Sequence, residues 1–553
     1  MSQLRFPLDY AYKWEKELAN EVYMTQPMGG GKVETYTWKR TLDEARRMAS
    51  YIESLGFEKG SRIGVLSKNC AHFIMSDLAI WMAGHVSVAL YPTLNADTVE
   101  YILDHSGCKM LFVGKLDVWD SMKPGVPEDM PCISYPLSPK TDFPTWNDVI
   151  KEHEPMQGEP KRAADDLAIL VYTSGSTGKP KGAMHDFKNL AAAARGFDEI
   201  FPIKHSDRML SYLPLAHVFE RLVVGIGSLA YGFHVFFAES LDTFVQDLRR
   251  ARPTLFLSVP RLWLKFQQGV FKKMPPKKLD LYLKIPILSG IVKKKVLQNL
   301  GLADVRYALS GSAPIPPELI DWYRRLGLEL LEGYGMTENF AYSHLSLPGK
   351  TRVGYVGHSN PGVETKISEE GEILVKSCST MLGYYRQEEM SKESFTEDGF
   401  LKTGDRGEID SDGRLRITGR VKELFKTSKG KYVAPAPIEN IINSHPAVEQ
   451  SCVSGSGQPK AFAVLMLSEA LRNKGKEAAK AEVEGDLEAL LKKVNSEVEH
   501  HEQLQFFVVV KDEWQIENGF LTPTMKLKRN VIKDTYEPQV EGWYASKKSL
   551  IWE

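Results

Sequence analysis

In the segment TLDEARRMASYIESL, Leu42, Ala45, Met48, Ala49, Ile52 and Leu55 recur at helical spacing. The pattern predicts an amphipathic helix over 41–55. Thr41 and Glu44 stand as a capping box at its start, and Gly56 closes its far end. Short apolar runs bounded by turn residues follow: RIGVLS, SVALYP, MLFVG, LAILVYTS, HVFFA, TLFLSVP and VRYALSG. Helical patterns lie between several of them. That alternation predicts an α/β architecture with substantial parallel sheet. Leu222 to Ala238 contains no Asp, Glu, Lys or Arg. It is shorter than the roughly 20 residues a spanning helix needs. Its glycines predict a buried helix, a turn at Gly232 and a strand HVFFA.

After Gly419 the texture changes. Residues 420–431 are polar and lysine-rich, and beyond them come the apolar runs AFAVLML and QFFVVV with a charged helical stretch around 470–500. The division expected is a large domain over 1–419 and a smaller α+β domain over 420–553, of ordinary domain size.

A chain of 553 residues exceeds one ordinary core. With 43% hydrophobic and 25% charged residues it reads as a globular protein. A net charge of -1 gives no electrostatic footprint for nucleic acid. The cysteines at 70, 108, 132, 378 and 452 form no Cys-x-x-Cys pair, which fits a reducing compartment. The first twenty residues lack an apolar signal-peptide core. The expectation is a cytoplasmic protein.

The string VYTSGSTGKPKG, from Val171 to Gly182, carries the first chemistry. LAILVY reads as a buried strand. Behind it, Gly175, Gly178 and Gly182 free the backbone to approach a ligand. Thr173, Ser174, Ser176 and Thr177 offer hydroxyls, and Lys179 and Lys181 supply charge. Together they make an anion cradle. It is not a Walker A loop, because Gly178-Lys179 is followed by Pro180 where that pattern needs Ser or Thr. The Rossmann spacing is also absent.

The string resembles the phosphate loop of the adenylate-forming superfamily of acyl-CoA synthetases, adenylation domains and luciferases. Further motifs keep that family's order. SGSAP at Ser310–Pro314 looks like its adenine-pocket loop, with Gly311, Ser312, Ala313 and Pro314 as the thin wall. Glu332, Gly333, Tyr334, Gly335, Met336, Thr337 and Glu338 match its second signature. The resemblance implies that Tyr334 stacks on adenine, Thr337 donates to the α-phosphate and Glu338 helps hold Mg²⁺. Asp405 of Thr403-Gly404-Asp405 corresponds to the carboxylate on the ribose hydroxyls. Arg420 corresponds to a ribose and phosphate contact. Lys422 lies at the family's hinge, and Lys429, Gly430 and Lys431 at its CoA channel. LTPTMKLKR places Lys526 at the catalytic lysine. The Thr-Pro-Thr form and the KTSKGKYVAP segment resemble long-chain fatty acyl-CoA synthetases.

What this implies is an ATP- and Mg²⁺-dependent fatty acid–CoA ligase. A fatty carboxylate attacks the α-phosphorus to give acyl-AMP and pyrophosphate, and the CoA thiol then displaces AMP. A mobile C-terminal domain alternates between the two steps. A fatty acyl-AMP ligase that loads a carrier-protein thiol is the alternative. His217 of PLAHVFER, Arg261 and Trp263 are the expected acyl-pocket residues. His217 reads equally as a polar core histidine. Chain length is not legible, since an apolar pocket separates substrates by only about 1–3 kcal/mol per methylene. Lys265 to Lys295 holds nine lysines and one acid, Asp280. It reads either as a solvated helical face or as a patch for peripheral contact with an anionic membrane surface.

Overall fold

A computed structural model describes residues 5–173, 179–522 and 525–553. Its largest sheet has seven strands. Val86–Leu90, Arg62–Leu66, Cys108–Val113 and Cys132–Ser134 pair in parallel, and Leu167–Thr173 joins alongside Val86–Leu90. Lys181–Asp186 and Gly383–Tyr384 then add antiparallel. The parallel strands run Val-, Ile- and Leu-rich because helices cover both faces. A second sheet sets Leu255–Ser258, Tyr307–Ser310 and Leu330–Tyr334 in parallel. A third joins the N-terminal hairpin Val22–Gly29 and Lys32–Thr37 to His234–Phe237 and Arg208–Ser211. An antiparallel sheet of Val363–Ile367, Glu372–Ser377, Leu401–Ile409 and Leu415–Arg420 completes the large domain. The expected α/β class is what the chain adopts.

The helix expected over 41–55 runs from Trp38 to Ser54, not from Thr41, and a helix Pro7–Glu17 precedes it. Thr37 is the N-cap, its hydroxyl accepting from the Arg40 amide at 3.2 Å. Thr41 is buried one turn inside, and the Glu44 carboxylate is taken by Arg40 and the Trp146 indole. The N-cap therefore lies four residues before the one expected and the expected capping box does not form, with Trp38 packed on Tyr23 at the helix start. Leu222–Ala238 resolves as expected, with one difference: Arg221–Ile226 is π-helical before the α-turn Gly227–Tyr231. Gly232 ends it in the left-handed region at φ 73°, and the strand follows.

In the smaller domain, Ala461–Leu467 shows why an unbroken apolar run makes a strand. Ala461, Ala463, Leu465 and Leu467 enter one core, while Phe462, Val464 and Met466 enter another on the opposite face. The two-residue period of a strand thus divides seven buried side chains between two layers. Helix Lys476–Glu497 covers the first layer with Ala479, Val483, Leu487, Leu490, Leu491 and Val494. The C-terminal helices, through Ile532, Tyr536 and Trp543, cover the second. Each such Leu or Val contributes about 1.5–3 kcal/mol on burial. Val464→Asp would leave an unpaired carboxylate there and unfold the sheet.

Candidate active site

The strands Leu330–Tyr334, Leu401–Ile409 and Leu415–Arg420 border one cleft of about 2240 Å³. Residues from both domains line it, including His217, Glu332, Tyr334, Thr337, Glu338, Asp405, Arg420, Lys422 and Lys526.

Local packing fixes the Gly333–Glu338 segment. A Cβ on Gly335 would lie 2.5 Å from the Ala341 backbone, so only glycine permits that approach. Asn339 Oδ1 accepts from the Met336 amide at 2.9 Å. His185 Nε2 reaches the Thr337 carbonyl at 2.8 Å, and burial pushes this imidazole down to about 4, so it is neutral and donates. The Tyr384 hydroxyl donates to Glu338 Oε1 at 2.6 Å. Tyr384 stands on the strand beside Ala183, and the Lys181 ammonium lies 5.3 Å from its ring centroid.

Antiparallel register sets Asp405 opposite Arg420. Asp405 Oδ1 accepts from Arg420 Nε at 2.8 Å and Oδ2 from the Tyr334 hydroxyl at 2.7 Å. Burial raises the Asp405 carboxyl above its usual range, opposed by Arg420, Tyr334 and Lys526. Two carboxylate oxygens hold about four lone-pair positions, so capacity remains for further donors. Next to it, Gly404 takes φ 72° and donates to Glu372 at 2.8 Å.

Lys526 sits on a loop closed by its own carbonyl, which accepts from the Thr522 amide at 2.8 Å, and by its amide, which donates to Thr522 Oγ1 at 3.1 Å. Its side chain meets the solvent of the cleft while protein surrounds it. That enclosure lowers its pKa, and Arg420 lowers it further against Asp405, Glu338 and Glu423. Arg529 ties this tail to the segment after Arg420, reaching Glu423 at 3.0 Å and Glu439 Oε1 at 2.6 Å. Lys526, Glu338 and Asp405 therefore share one electrostatic site although they come from distant parts of the chain.

Thr173 and Lys181 face each other across the hairpin Leu167–Thr173 and Lys181–Asp186 and line the cleft. Ser174, Gly175, Ser176, Thr177 and Gly178 lie outside the described residues. Gly182 does not take a positive φ; its glycine is explained by Tyr172, whose ring carbon would stand 3.0 Å from an added Cβ. Ser312, Ala313 and Pro314 line the cleft, with Ser312 at φ 69°. Gly311 is set behind them, where a Cβ would meet the Phe219 ring at 3.1 Å.

His217 lines the cleft and caps the short helix Val218–Glu220, its Nδ1 accepting from the Phe219 amide at 3.3 Å. Burial and the Lys526 charge push it down to about 3, so it is neutral. The other two residues expected at the acyl pocket, Arg261 and Trp263, do not line this cleft. Trp263 is fully buried among Phe256, Phe266 and Tyr323, and its indole donates to the Leu309 carbonyl at 3.3 Å. Arg261 pairs with Glu449 of the smaller domain instead of lining the cleft. Lys429, Gly430 and Lys431 form an exposed turn between Phe425–Lys426 and Tyr432–Val433, away from the cleft. Tyr384 is the site residue that sequence reasoning passed over. Its signal was the aromatic pair in MLGYYRQ.

Among the described residues no three His, Cys, Asp or Glu side chains cluster for a metal ion. Glu338 still fits Mg²⁺, which commonly takes one or two carboxylates and completes its shell with phosphate and water oxygens.

The sequence profile for an AMP-binding enzyme matches residues 13–385, and that for an AMP-binding enzyme C-terminal domain matches residues 423–548. The chain belongs to the AMP-binding enzyme family. It is 31% identical to the long-chain-fatty-acid–CoA ligase FadD15 of Mycobacterium bovis, with 92% of each chain covered. It is 28% identical to fatty acyl-CoA synthetase A of Dictyostelium discoideum, covering 98% of this chain and 91% of that one. The A domain of carboxylic acid reductase from Segniliparus rugosus, solved with AMP and a co-purified carboxylic acid, superposes with a TM-score of 0.80 at 22% identity, over 99% of this chain and 95% of that one. This last likeness establishes the fold: a large N-terminal domain and a smaller C-terminal one.

Proposed function

We infer that the protein is an AMP-forming fatty acid–CoA ligase acting on long- or medium-chain acids, with ATP, Mg²⁺ and CoA. The observation that carries this reading is the convergence of Lys526 from the C-terminal tail on the cleft that holds Glu338, Tyr334 and Asp405. The long-chain-fatty-acid–CoA ligase and the fatty acyl-CoA synthetase among its relatives support a fatty acid as substrate. We put the boundary at 419/420 with Lys422 in the hinge, within the interval between profile matches that end at 385 and begin at 423.

Adenylation needs alignment and charge neutralisation rather than a protein nucleophile. The carboxylate oxygen attacks the α-phosphorus, the bond to the bridging oxygen breaks, and pyrophosphate leaves with the electron pair. Lys526, Thr337 and the 173–178 loop donate to the oxygens that gain charge. Glu338 would hold Mg²⁺, which would supply further positive charge. The Tyr334 ring and the Gly311–Pro314 wall take the adenine, and Asp405 and Arg420 take the ribose side. Neutral His217, with Phe219 and Ile315, borders the acyl end. In the second step the thiol sulfur attacks the acyl carbon and AMP departs. Lys526 leaves the cleft for this step, and the exposed Lys429–Lys431 turn swings in with CoA.

The test is incubation of the purified chain with ATP, Mg²⁺ and fatty acids from octanoate to stearate, with and without CoA, following AMP and acyl products. CoA-dependent AMP release with thioester formation is expected, and the profile across the series sets the chain length. Acyl-adenylate that accumulates and ignores CoA would move the protein to the carrier-loading class.

A further inference from the structure

Adjacent parallel strands are usually joined by one crossover helix. Between Leu255–Ser258 and Tyr307–Ser310 this chain inserts three: Pro260–Lys273, Pro276–Lys284 and Pro286–Leu300. Leu279 and Val296 anchor the last two on a core that also holds Trp263, Phe266 and Ile315. The junction between them does the opposite and turns apolar side chains outward. Leu281 is 58% exposed, Ile287 82% and Ile291 59%, with Ile285 and Leu288 also exposed. These five are a third of the fifteen large exposed hydrophobics among the described residues, gathered within eleven positions.

The same helices are rich in charge. Lys265, Lys272, Lys273, Lys277, Lys278, Lys284, Lys293, Lys294 and Lys295 all belong to the same three helices, and none has an ion pair among the described residues. The one acid, Asp280, is already neutralised by Arg325 at 2.7 Å. A self-complementary dimer through this face would bring nine lysines against nine lysines, so a second copy is disfavoured by like-charge repulsion. Exposed apolar side chains on helices that also carry unpaired lysines match the boundary of an anionic bilayer, where lysines meet headgroups and Ile and Leu enter the acyl zone. No helix among the described residues is long and apolar enough to cross a membrane.

The geometry points to the Leu281–Ile291 ridge and its lysines as the surface that docks the protein on an anionic phospholipid bilayer. The ridge shares its supporting core with Ile315 at the cleft. Its purpose, delivery of membrane-partitioned fatty acid, rests on the ligase reading above; the docking itself does not.

Co-sedimentation with vesicles tests this without ATP, CoA or fatty acid, so a failed ligase assay leaves the result standing, and the reverse. One vesicle set is pure phosphatidylcholine; the other contains equal phosphatidylglycerol. The protein is expected to pellet with the anionic set at low ionic strength and to be released by salt. Each lysine near such a surface contributes about a fivefold factor. Lys293→Glu/Lys294→Glu/Lys295→Glu should therefore reduce binding by well over about tenfold. Ile287→Asp/Ile291→Asp should reduce it similarly, with the far-UV dichroism and melting midpoint of the parent chain. Wild-type protein left in the supernatant at low salt would overturn the proposal, as would the isoleucine variant pelleting like wild type. A concentration-dependent dimer in sedimentation velocity that the isoleucine variant abolishes would assign the ridge to self-association instead.

Discussion

The Tyr384 hydroxyl donates to Oε1 of Glu338 across 2.6 Å, and this single bond fixes the carboxylate in the cleft. Tyr384→Phe keeps the ring beside Lys181 and removes only the donor. A hydrogen bond to a charged group is worth about 1.5–3 kcal/mol. ATP–pyrophosphate exchange is expected to fall about tenfold or more, and the Mg²⁺ concentration for half-maximal exchange to rise. The melting midpoint should barely move. An unchanged Mg²⁺ requirement would mean that Glu338 is held well enough by other contacts.

Lys526 serves the first step and obstructs the second. Lys526→Ala should reduce acyl-adenylate formation by about two orders of magnitude or more, consistent with loss of a charged transition-state contact. Conversion of supplied acyl-adenylate to thioester should stay within a few-fold. Enclosure and Arg420 lower the Lys526 pKa, so its cation is lost at a lower pH than an ordinary lysine loses its own. The adenylation kcat/KM for ATP should therefore decline as pH rises through that lowered value. The decline in kcat should begin at higher pH, because bound phosphates stabilise the ammonium. Matched profiles for both half-reactions would detach Lys526 from adenylation.

Much of this site was legible because its residues lie in short strings whose spacing fixes a local shape. Gly333–Glu338 and Thr403–Asp405 are such strings, recognisable by the order of their residues before any contact is known. Contacts between strings were not legible. Tyr384 reaches Glu338 because its strand lies beside Lys181–Asp186, a pairing set by tertiary structure. Trp263 sits on a helix near the cleft, yet its face of that helix points into the core. Thr37 took the cap from Thr41 because burial of Trp38 outweighed a local pairing of side chains. Arg261 found its partner 188 residues away.

That partner, Glu449, also accepts from Arg472 at 2.7 Å, so one carboxylate joins the large domain to the small one. Lys493 and Glu318 make a second cross-domain pair at 3.7 Å. Both pairs hold the pose in which Lys526 faces the cleft. The Arg261–Glu449 pair is partly exposed, which limits it to about 0.2–1 kcal/mol. Arg261→Gln should slow adenylation by about two- to fivefold and leave thioester formation equal or faster. High salt should remove the difference between variant and wild type. Equal slowing of both half-reactions would show that the pair supports the fold rather than the pose.

Glu220 is buried. Ser211, the Tyr212 amide and Asn69 all donate to Oε1, at 2.8, 3.1 and 3.2 Å. Burial pushes its carboxyl up to about 8, against those hydrogen bonds. The folded state therefore keeps a proton that the unfolded chain has released once pH exceeds the ordinary carboxylate value. Between that value and about 8, stability falls as pH rises, by up to about 1.4 kcal/mol per pH unit for one group. Glu332, also pushed up to about 8 by burial, adds a slope of the same sign. Glu220→Gln retains an acceptor oxygen for all three donors and replaces the carboxyl proton with an amide. The melting midpoint of wild type should drop from mild acid to pH 8 more steeply than that of the variant. The two should converge below the ordinary carboxylate value, where Glu220 is neutral in both the folded and the unfolded chain. Parallel midpoint curves would mean that Glu220 is ionised in the folded protein and that its three donors outweigh its burial.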